Sequence, residues 1–282
     1  MYYLGKHEDA VALIDDACQC SSISLFWAIR AYIHGHTNRE PAHALKVHRD
    51  WGRRFADPLT RTAKPLVVKD RNPRKRLKVG YVTADFRLHS VAFFMHPVLR
   101  HHNADAVEIH VYSSGKRDAF TDIIQQSVPH WHEVADLSDE ALCERIRADG
   151  IDVLVDLSGH TTGHRLFAFA RRAAPVQVTW GGYALPLGMK AMDYRLLDHR
   201  LAPVGHEKYY SETLFRLSYS ASYAPPDYAP LCAEPPLLRN GYPTLISLNN
   251  SAKITDAMLA VWASILQERA DARLIIMVKE FS

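Results

Sequence analysis

The residues of this sequence best suited to chemistry lie in three polar segments, and each segment directly follows an apolar one. They are Asp85 and His89, then Ser158, His160 and Thr161, and then Gly181, Gly182 and Tyr183. If the apolar segments are parallel strands of one sheet, the polar loops meet at its carboxyl edge, where open α/β sheets bind ligands. His89 and His160 would then share a cleft. The alternative is that these loops are solvated turns without a function.

Familiar signatures of nucleotide binding and catalysis are absent. The sequence contains neither GxGxxG nor GxxxxGK[ST], and Ser158 lacks the leading glycine of a nucleophile elbow. No Asp-x-Asp motif occurs, which argues against a metal-dependent sugar-nucleotide enzyme. The cysteines are Cys18, Cys20, Cys143 and Cys232. They form no CxxC pair, so they predict neither a disulfide framework nor a zinc site, and they indicate a reducing compartment.

The 16 histidines also invite a metal interpretation, which their spacing does not support. The most closely spaced pairs are His34/His36, His101/His102 and His130/His132. None of these pairs has the i, i+4 spacing of helical ligands or a neighbouring carboxylate in ligand register. We therefore expect no metal site, and we expect most histidines to lie at the protein surface.

Length and composition are those of an ordinary globular protein. The chain has 282 residues, of which 48% are hydrophobic and 23% charged, and its net charge is +3. This small charge argues against nucleic acid as a partner, so the basic cluster Arg71–Arg76 is interpreted as part of a solvated linker. No apolar run approaches the length of a membrane span, and the N-terminus lacks a signal-peptide pattern. The sequence predicts a cytoplasmic protein with no membrane partner.

Residues 1–56 have helical periodicity and predict three short helices. The first is defined by the apolar residues Leu4, Ala10, Leu13, Ile14 and Ala17, and the others cover residues 25–33 and 42–55. Paired short helices are typical of the last unit of a helical repeat array, which cannot bury its own apolar face and must cap another domain. Three prolines then predict a linker over residues 57–75.

From residue 76 to residue 235, apolar strands alternate with helical patterns, which predicts a doubly wound α/β domain. The predicted strands are 77–81, 107–112, 151–157 and 176–180, and the predicted helices are 91–101, 121–128, 139–149 and 165–173. Ser138 is the predicted N-cap of the helix 139–149, and Gly150 is predicted to end it. Segments rich in proline, Ala224-Pro225-Pro226 and Glu234-Pro235-Pro236, indicate a boundary. Residues 243–282 then predict a strand, a helix and a second strand, which we interpret as an incomplete second Rossmann-like unit.

Several longer motifs resemble one protein family. The segment Arg76–Phe86 and the motifs IDVLVDLSGHTTGHRLFAFARRAAPVQVTWGGY, MDYRLLDHRLAP and YYSETLFRL are similar to the catalytic region of protein O-linked N-acetylglucosamine transferases and SPINDLY-type relatives. HALKVHRDWGRRFA resembles the helix that joins this region to tetratricopeptide repeats, and LISLNNSAKITD resembles the start of the second nucleotide-sugar domain. The resemblance covers residues 42–282 and implies a glycosyltransferase-B architecture, in which donor and acceptor meet between two Rossmann-like halves.

The resemblance also implies roles for individual residues. His89 matches the family histidine near the sugar and acceptor, a candidate general base, and Lys253 matches the lysine that faces the donor diphosphate. A cation and a helix N-terminus can stabilise the departing diphosphate, so no metal is required. Other residues expected to line the cleft are Asp85, His160, Thr161, Tyr183, Asn249 and Asn250. Residues 184–188 depart from the family sequence Pro-Gly-Thr-Ser/Thr-Gly.

The function implied by the resemblance is protein O-glycosylation. An inverting, metal-independent enzyme would transfer a sugar from a nucleotide donor, such as UDP-N-acetylglucosamine, to Ser or Thr hydroxyls of a protein, without a cofactor. The chain ends before the family's nucleotide-gripping residues, so we expect the 282-residue polypeptide alone to bind its donor weakly and to be inactive. Two alternatives stay open: a non-catalytic protein-binding module, and a related protein N-glucosyltransferase. The sequence does not distinguish a UDP donor from a GDP donor.

Overall fold

The structure is a computed structural model that describes residues 1–37, 40–68, 70–220, 223, 229–230 and 234–278. The chain divides into two compact units, one formed by Cys20–Ala224 and the other by Met1–Gln19 together with Pro225–Ser282. This grouping differs from the predicted helical segment 1–56, because the first 19 residues belong with the C-terminal part. The predicted boundary at residues 224–226 lies outside the described residues, as does Cys232.

The three helices predicted near the N-terminus are present. They are α1 (His7–Cys20), α2 (Ser24–Thr37) and α3 (Pro41–Trp51). Trp51 is fully buried, and its indole Nε1 donates a hydrogen bond to the backbone oxygen of Ser24 at 3.3 Å, which fixes α3 against the start of α2. Gly52 follows directly, and a Cβ atom there would lie 2.1 Å from the backbone oxygen of Gly188. Only glycine permits this close approach between the α/β domain and the helices α2 and α3, which we call the helical layer.

Part of the predicted linker 57–75 is helical. A π-helical turn, Gly52–Ala56, continues from α3 and leads into α4 (Asp57–Arg61). The carboxylate of Asp57 is buried, and its Oδ1 accepts a hydrogen bond from the backbone N–H of Lys190 at 3.0 Å. This contact holds the segment in place, so the expected irregular stretch begins only after residue 62.

A seven-stranded parallel sheet forms the centre of the Cys20–Ala224 unit, with strand order β3-β2-β1-β4-β5-β6-β7. The strands are β1 (Leu77–Thr83), β2 (Val107–Ser113), β3 (His130–Glu133), β4 (Val153–Asp156), β5 (Val176–Thr179), β6 (Tyr194–Asp198) and β7 (Thr213–Leu217). Helices between the strands are α5 (Ser90–His101), α6 (Ala119–Gln125), α7 (Asp139–Asp149) and α8 (Leu166–Ala170). The predicted doubly wound α/β fold is confirmed. Its strand order reverses between β1 and β4, which makes this the topological switch point.

Both faces of the sheet are covered. Leu154 packs into one buried cluster that also contains Trp51 and Tyr112, whereas the next residue, Val155, packs into a second cluster with Met95. Successive residues of a strand point to opposite faces, so β4 is buried on both sides. This explains why its sequence is a continuous apolar run rather than an alternating one.

Local sequence sets the ends of several helices. The hydroxyl of Ser138 accepts a hydrogen bond from the backbone N–H of Ala141 at 3.1 Å and so caps α7, which ends at Gly150 with φ 71°. Asp118 caps α6 in a capping box with Thr121. The cap at Ser138 and the stop at Gly150 were predicted from the sequence. The cap at Asp118 was not, and α6 accordingly starts two residues before its predicted first residue, Thr121.

Strands β3, β6 and β7 were not predicted, because their sequences lack a plain apolar pattern. The edge strand β3 reads HWHE, with two histidines and a glutamate among its residues. Strand β6 contains a buried cation, Arg195, which pairs with Glu212 directly before β7. Charged and polar residues inside short strands conceal the pattern on which strand prediction depends.

The second unit contains a small parallel sheet. From residue 234 onward, its main elements are α9 (Pro236–Asn240), β8 (Thr244–Ser247), α10 (Asp256–Glu268) and β9 (Arg273–Ile276). Strands β8 and β9 are parallel neighbours, and Thr244 pairs with Arg273. The predicted strand–helix–strand unit is therefore present. In the part of the chain that the structure describes, no helix combines the length and apolar character needed to cross a membrane.

Candidate functional site

Loops that follow several strands meet at the carboxyl edge of the seven-stranded sheet. At the switch point, the hydroxyl of Thr83 at the end of β1 lies 3.2 Å from the hydroxyl of Ser158, which follows β4. The loop after β5 reaches the same place, because a Cβ atom on Gly182 would lie 1.7 Å from the backbone oxygen of Leu157. The polar segments that follow β1, β4 and β5 are thus adjacent, as their positions after parallel strands predicted.

Asp85 and His89 lie together in the loop after β1. The side chain of His89 is 37% exposed, and its Nδ1 lies 3.8 Å from the largely buried Asp85 Oδ1. Arg87 Nη2 lies 3.6 Å from the same oxygen. His89 is also the N-cap of α5, where Nδ1 accepts a hydrogen bond from the Val91 N–H at 3.3 Å. The ring therefore has one nitrogen fixed by its own loop and Nε2 left for a ligand.

Two tautomers of His89 compete in this arrangement. The contact with the Val91 N–H needs a lone pair on Nδ1, which places the proton of a neutral ring on Nε2. The Asp85 carboxylate favours the opposite tautomer, with the proton on Nδ1 and a lone pair on Nε2. In the first state His89 donates a hydrogen bond from Nε2, and in the second it can accept a proton there.

A buried carboxylate that sequence reasoning did not select holds the loop after β4. Asp156 Oδ1 accepts hydrogen bonds from the N–H groups of Ser158 and Gly159, each at 3.1 Å, and its Oδ2 accepts one from the Thr179 hydroxyl at 2.9 Å. Burial raises the pKa of Asp156, although these hydrogen bonds oppose the shift. Its carboxylate fixes the loop backbone against β5. An aspartate at the end of an apolar strand, followed by Leu-Ser-Gly, was the available sequence signal.

Thr161 supports the same turn. Its hydroxyl donates a hydrogen bond to the backbone oxygen of Ser158 at 2.8 Å. The side chain is only partly buried, and its described contact is with the loop itself. Thr161 therefore remains at the predicted edge of the sheet, with a role in shaping the loop.

His160 and Tyr183 are not in an open cleft, contrary to the sequence-based expectation. Both are buried, and His160 Nε2 lies 3.0 Å from the Leu187 backbone oxygen. The Tyr183 hydroxyl lies 2.7 Å from Nε2 of His48, a buried residue of α3. The loops after β4 and β5 turn these two rings toward the helical layer, where His160 also packs edge-on against Trp51. Their described contacts are with this layer and with neighbouring loops, and none is with His89.

Burial of these histidines has an electrostatic consequence. Desolvation lowers the pKa of His48 to about 4 and holds that of His160 well below its ordinary value. Both rings are therefore neutral near pH 7. Two further histidines, His34 and His110, are buried as well, as exceptions to the expectation that most histidines lie at the surface. The sequence did not reveal this, because each of these histidines is covered by residues from other elements.

A buried ion pair holds the loop that departs from the family sequence. Arg195 donates hydrogen bonds to the backbone oxygen of Tyr183 at 2.7 Å and to Glu212 at 3.0 Å. Glu212 Oε1 in turn accepts the N–H of Leu187 at 2.9 Å. Burial acts to raise the pKa of Glu212, but Arg195 and these hydrogen bonds outweigh it and lower the pKa. The pair therefore stays ionised and fixes residues 183–187 at two points. Sequence reasoning missed it, since the partners lie on different elements.

Lys253 and the asparagines before it belong to the second compact unit. Asn250 Oδ1 accepts the N–H of Ala252 at 2.9 Å and caps a single turn, Ser251–Lys253. The hydroxyl of Ser251 donates to the backbone oxygen of Tyr3 at 2.8 Å, which ties this turn to the N-terminus. Asn249, Asn250 and Lys253 are exposed. Their side chains are therefore accessible to a ligand such as a phosphate.

Comparisons with known proteins agree with this fold. The family profile described as glycosyl transferase family 41 matches residues 60–223, which is more than half of the chain. The chain is 37% identical over 243 residues to a protein of Solanum lycopersicum named probable UDP-N-acetylglucosamine–peptide N-acetylglucosaminyltransferase SPINDLY, and the match covers 84% of this chain and 26% of that protein. It is 31% identical over 189 residues to the Arabidopsis thaliana protein of the same activity name called SEC, covering 64% of this chain and 19% of that protein.

A solved structure extends the likeness to nearly the whole chain. A mutant of Thermobaculum terrenum O-GlcNAc transferase matches with a TM-score of 0.90 and 36% identity, over 98% of this chain and 53% of that one. The chain thus spans about a quarter of the length of its curated relatives and about half of the solved structure. The resemblance found in the motifs is confirmed, with the glycosyltransferase-B-like α/β fold that it implied. By its sequence and by its fold, this chain belongs to glycosyl transferase family 41.

Proposed function

We propose that the chain provides part of a protein O-glycosyltransferase. The proposed donor is UDP-N-acetylglucosamine and the proposed acceptor is a Ser or Thr hydroxyl of a protein, in a reaction that needs neither a metal nor a cofactor. Family membership supports the reaction class, and the activity names of the relatives support the donor and the peptide acceptor. We also propose a cytoplasmic location, in keeping with the reducing compartment that the scattered cysteines, without a CxxC pair, indicate.

Each segment of the chain corresponds to one proposed domain of the enzyme. Residues 76–235 would form the first catalytic half, residues 243–282 would begin the nucleotide-sugar-binding half, and the helices before residue 56 would be the remnant of a tetratricopeptide-like array. The match between residues 60–223 and the family profile supports the first assignment. The parallel β8–α10–β9 unit supports the second, since Rossmann-like halves are built from such units.

In the proposed reaction, the acceptor oxygen attacks the anomeric carbon of the sugar. A new carbon–oxygen bond forms while the bond to the diphosphate breaks, and the configuration at that carbon inverts. The acceptor loses its proton in this step, and we place His89 beside it, in the tautomer with a lone pair on Nε2. Asp85, 3.8 Å from Nδ1, would stabilise the imidazolium that results.

The diphosphate gains negative charge as it leaves, and we assign Lys253 to this group. Asn249 and Asn250, which precede the lysine on the same exposed segment, are proposed to line the donor site with it. Asp85 and Thr161 are proposed to shape the acceptor side. His160 and Tyr183 are assigned a supporting part beneath the loops, because both are buried.

One observation carries this proposal: a partly exposed His89, backed by Asp85, at the switch point of a family 41 sheet. A chimera tests it directly. Residues 76–220 of this chain would replace the matching part of the Thermobaculum terrenum enzyme, and transfer from UDP-N-acetylglucosamine to a Ser/Thr peptide would be measured by mass spectrometry. We expect measurable transfer from this donor, and less from GDP-sugars and to peptides that offer only Asn.

The chimera also addresses the two alternative functions. A folded chimera that transfers no sugar would favour a non-catalytic binding module. Transfer that requires Asn in the peptide, instead of Ser or Thr, would favour a protein N-glucosyltransferase. Circular dichroism of the chimera serves as the control for folding, so that a failure to fold is not read as a loss of activity.

A further inference from the structure

A cluster of imidazoles and carboxylates lies on β2 and β3, away from the candidate site. His110 of β2 pairs with His130 of β3, and their rings are stacked with centroids 4.3 Å apart. Glu108 lies two residues before His110 and therefore on the same face of β2. Glu108 and His130 lie at the amino-terminal ends of their strands and His110 at the centre of β2, away from the carboxyl edge where the loop with His89 emerges. The proposed glycosyl transfer uses none of them.

Three potential ligand atoms converge at this place. His110 Nε2 lies 2.9 Å from Glu108 Oε1, and His130 Nε2 lies 3.5 Å from the same oxygen. The three atoms lie within 4.8 Å of one another. In a tetrahedral zinc site with bonds near 2.0–2.1 Å, ligand atoms are about 3.3 Å apart. A metal ion therefore fits between these groups with small side-chain movements.

Burial and ring stacking hold His110 in this cluster. Its side chain is only 5% exposed, and its ring is stacked on that of His130. Its Nε2 is therefore directed at Glu108 Oε1, 2.9 Å away. A metal ion bound at Nε2 replaces the proton in this hydrogen bond, and the proton is released.

The surrounding cations leave room for a metal. Lys78 Nζ and Arg76 Nη1 each lie 3.6 Å from Glu108 oxygens, beyond hydrogen-bond distance. Lys78 has another partner, because its ammonium donates to the Asp149 backbone oxygen at 3.0 Å. The His130 side chain is 45% exposed and opens the cluster to solvent. An ion can thus enter past His130 and displace two weak ionic contacts.

A second group, formed by His110, His132 and Asp149, also has ligand atoms within 4.8 Å of one another. Its carboxylate is already occupied, since Asp149 Oδ2 accepts hydrogen bonds from the Tyr112 hydroxyl at 2.8 Å and from Arg145 Nε at 2.9 Å. The Arg145 guanidinium would also repel a metal ion there. The first group is therefore the better site.

We propose that Glu108, His110 and His130 bind one divalent transition-metal ion, such as Zn²⁺. Two imidazoles and one carboxylate favour such an ion over Mg²⁺ or Ca²⁺, which prefer oxygen ligands. The bound ion joins the edge strand β3 to β2 through side chains, beside their backbone pairing. Its role is structural, and it lies outside the site of glycosyl transfer.

The test uses the untagged 282-residue chain and titration calorimetry with zinc chloride, with thermal unfolding as a second measurement. We expect one zinc ion per chain and a higher Tm with zinc. His130→Ala should weaken zinc binding by more than about 10-fold and abolish the rise in Tm. This exposed position is chosen because His130→Ala leaves the core intact, whereas a change at His110 would disturb folding.

Two variants serve as matched controls. His101→Ala removes an exposed histidine of α5 outside the cluster, and His132→Ala removes a ligand of the competing group. Both should bind zinc as the unaltered chain does. The proposal is overturned if zinc does not bind in the micromolar range, if His130→Ala binds as well as the original chain, if His132→Ala alone abolishes binding, or if magnesium binds equally tightly.

Discussion

Two parallel sheets of this protein are built from similar apolar strands, but within the part of the chain that the structure describes only one of them is covered on both faces. In the seven-stranded sheet, Leu154 of β4 is fully buried, whereas Leu245 of β8 in the two-stranded sheet is 41% exposed. Further apolar residues of the smaller unit are exposed as well: Ile246, Ile275, Ile276, Leu259 and Val261. The same sequence signal therefore produces a core in one unit and an apolar surface in the other.

The difference shows what a strand pattern does and does not determine. Strand conformation follows from the residues of a segment, and the apolar strands of both sheets were therefore predicted correctly. Burial requires helices on both faces, which the larger sheet has and the pair β8–β9 lacks within the described residues. Since each apolar side chain is stabilised only as far as it leaves water, equal substitutions should have unequal effects in the two units.

The two units should differ most in the stability that is lost when an ion pair is broken. Glu212 and Arg195 are buried at 3.0 Å, while Asp271 and Arg269 form an exposed pair at 2.9 Å. Glu212→Gln leaves a buried guanidinium without its counter-ion and should lower the free energy of unfolding by about 3–5 kcal/mol. Asp271→Asn removes one partner of a pair that water screens and should leave the free energy of unfolding nearly unchanged. Urea unfolding followed by circular dichroism measures both, and equal effects would remove the contrast.

Leucine truncation compares the two sheets with the same chemical change. Leu154→Ala opens a cavity in a covered core and should lower the free energy of unfolding by about 2–4 kcal/mol. Leu245→Ala removes a side chain already in contact with water and should cost less than about 1 kcal/mol. Hydrogen–deuterium exchange adds an independent measurement, with slower exchange expected in β4 than in β8. Similar costs for the two variants would mean that β8 is covered as well as β4.

The pH dependence of stability should come from the larger unit, through buried histidines such as His48 and its neighbour His160. The pKa of His48 is lowered by burial to about 4, from an ordinary value of 6.5. Because the unfolded chain binds the proton more readily, stability is complete above about pH 6.5 and declines as the pH falls toward 4. For His48 alone the loss at pH 5.5 is about 1 kcal/mol.

A variant of His48 isolates this contribution. His48→Gln should be less stable at pH 7 but should show a weaker decline between pH 7 and pH 5.5 in urea unfolding. His199→Gln, at an exposed position, should leave the decline unchanged. A decline as steep in His48→Gln as in the original chain would show that other groups cause it.

Much of the fold could be predicted from the sequence, because its main elements carry local signals. Periodicity placed α1, α2 and α3, and the apolar runs placed β1, β2, β4 and β5. The strand β6 escaped prediction because Arg195 interrupts its pattern, and only the folded chain brings Glu212 beside it. Cap residues such as Ser138 were predictable because they act within one turn of chain.

The candidate site was predictable in position but not in detail. Topology alone brings the loops with His89 and Ser158 to one edge. It does not determine which way each side chain points, so His160 was assigned to the cleft and is buried beneath it. The histidine cluster was missed for a related reason: His130 was compared only with His132, its neighbour in the sequence, whereas its partner His110 comes from the neighbouring strand.

The proposed role of His89 in glycosyl transfer at the switch point of the larger sheet is tested by the turnover number of the chimera carrying His89→Ala. The chimera carrying His101→Ala, at the exposed end of the same helix, is measured beside it. We predict that His89→Ala lowers kcat by about 10²–10⁴-fold with a smaller change in the KM for the donor, while His101→Ala leaves both unchanged. An unaltered kcat in His89→Ala would contradict the assignment of this site.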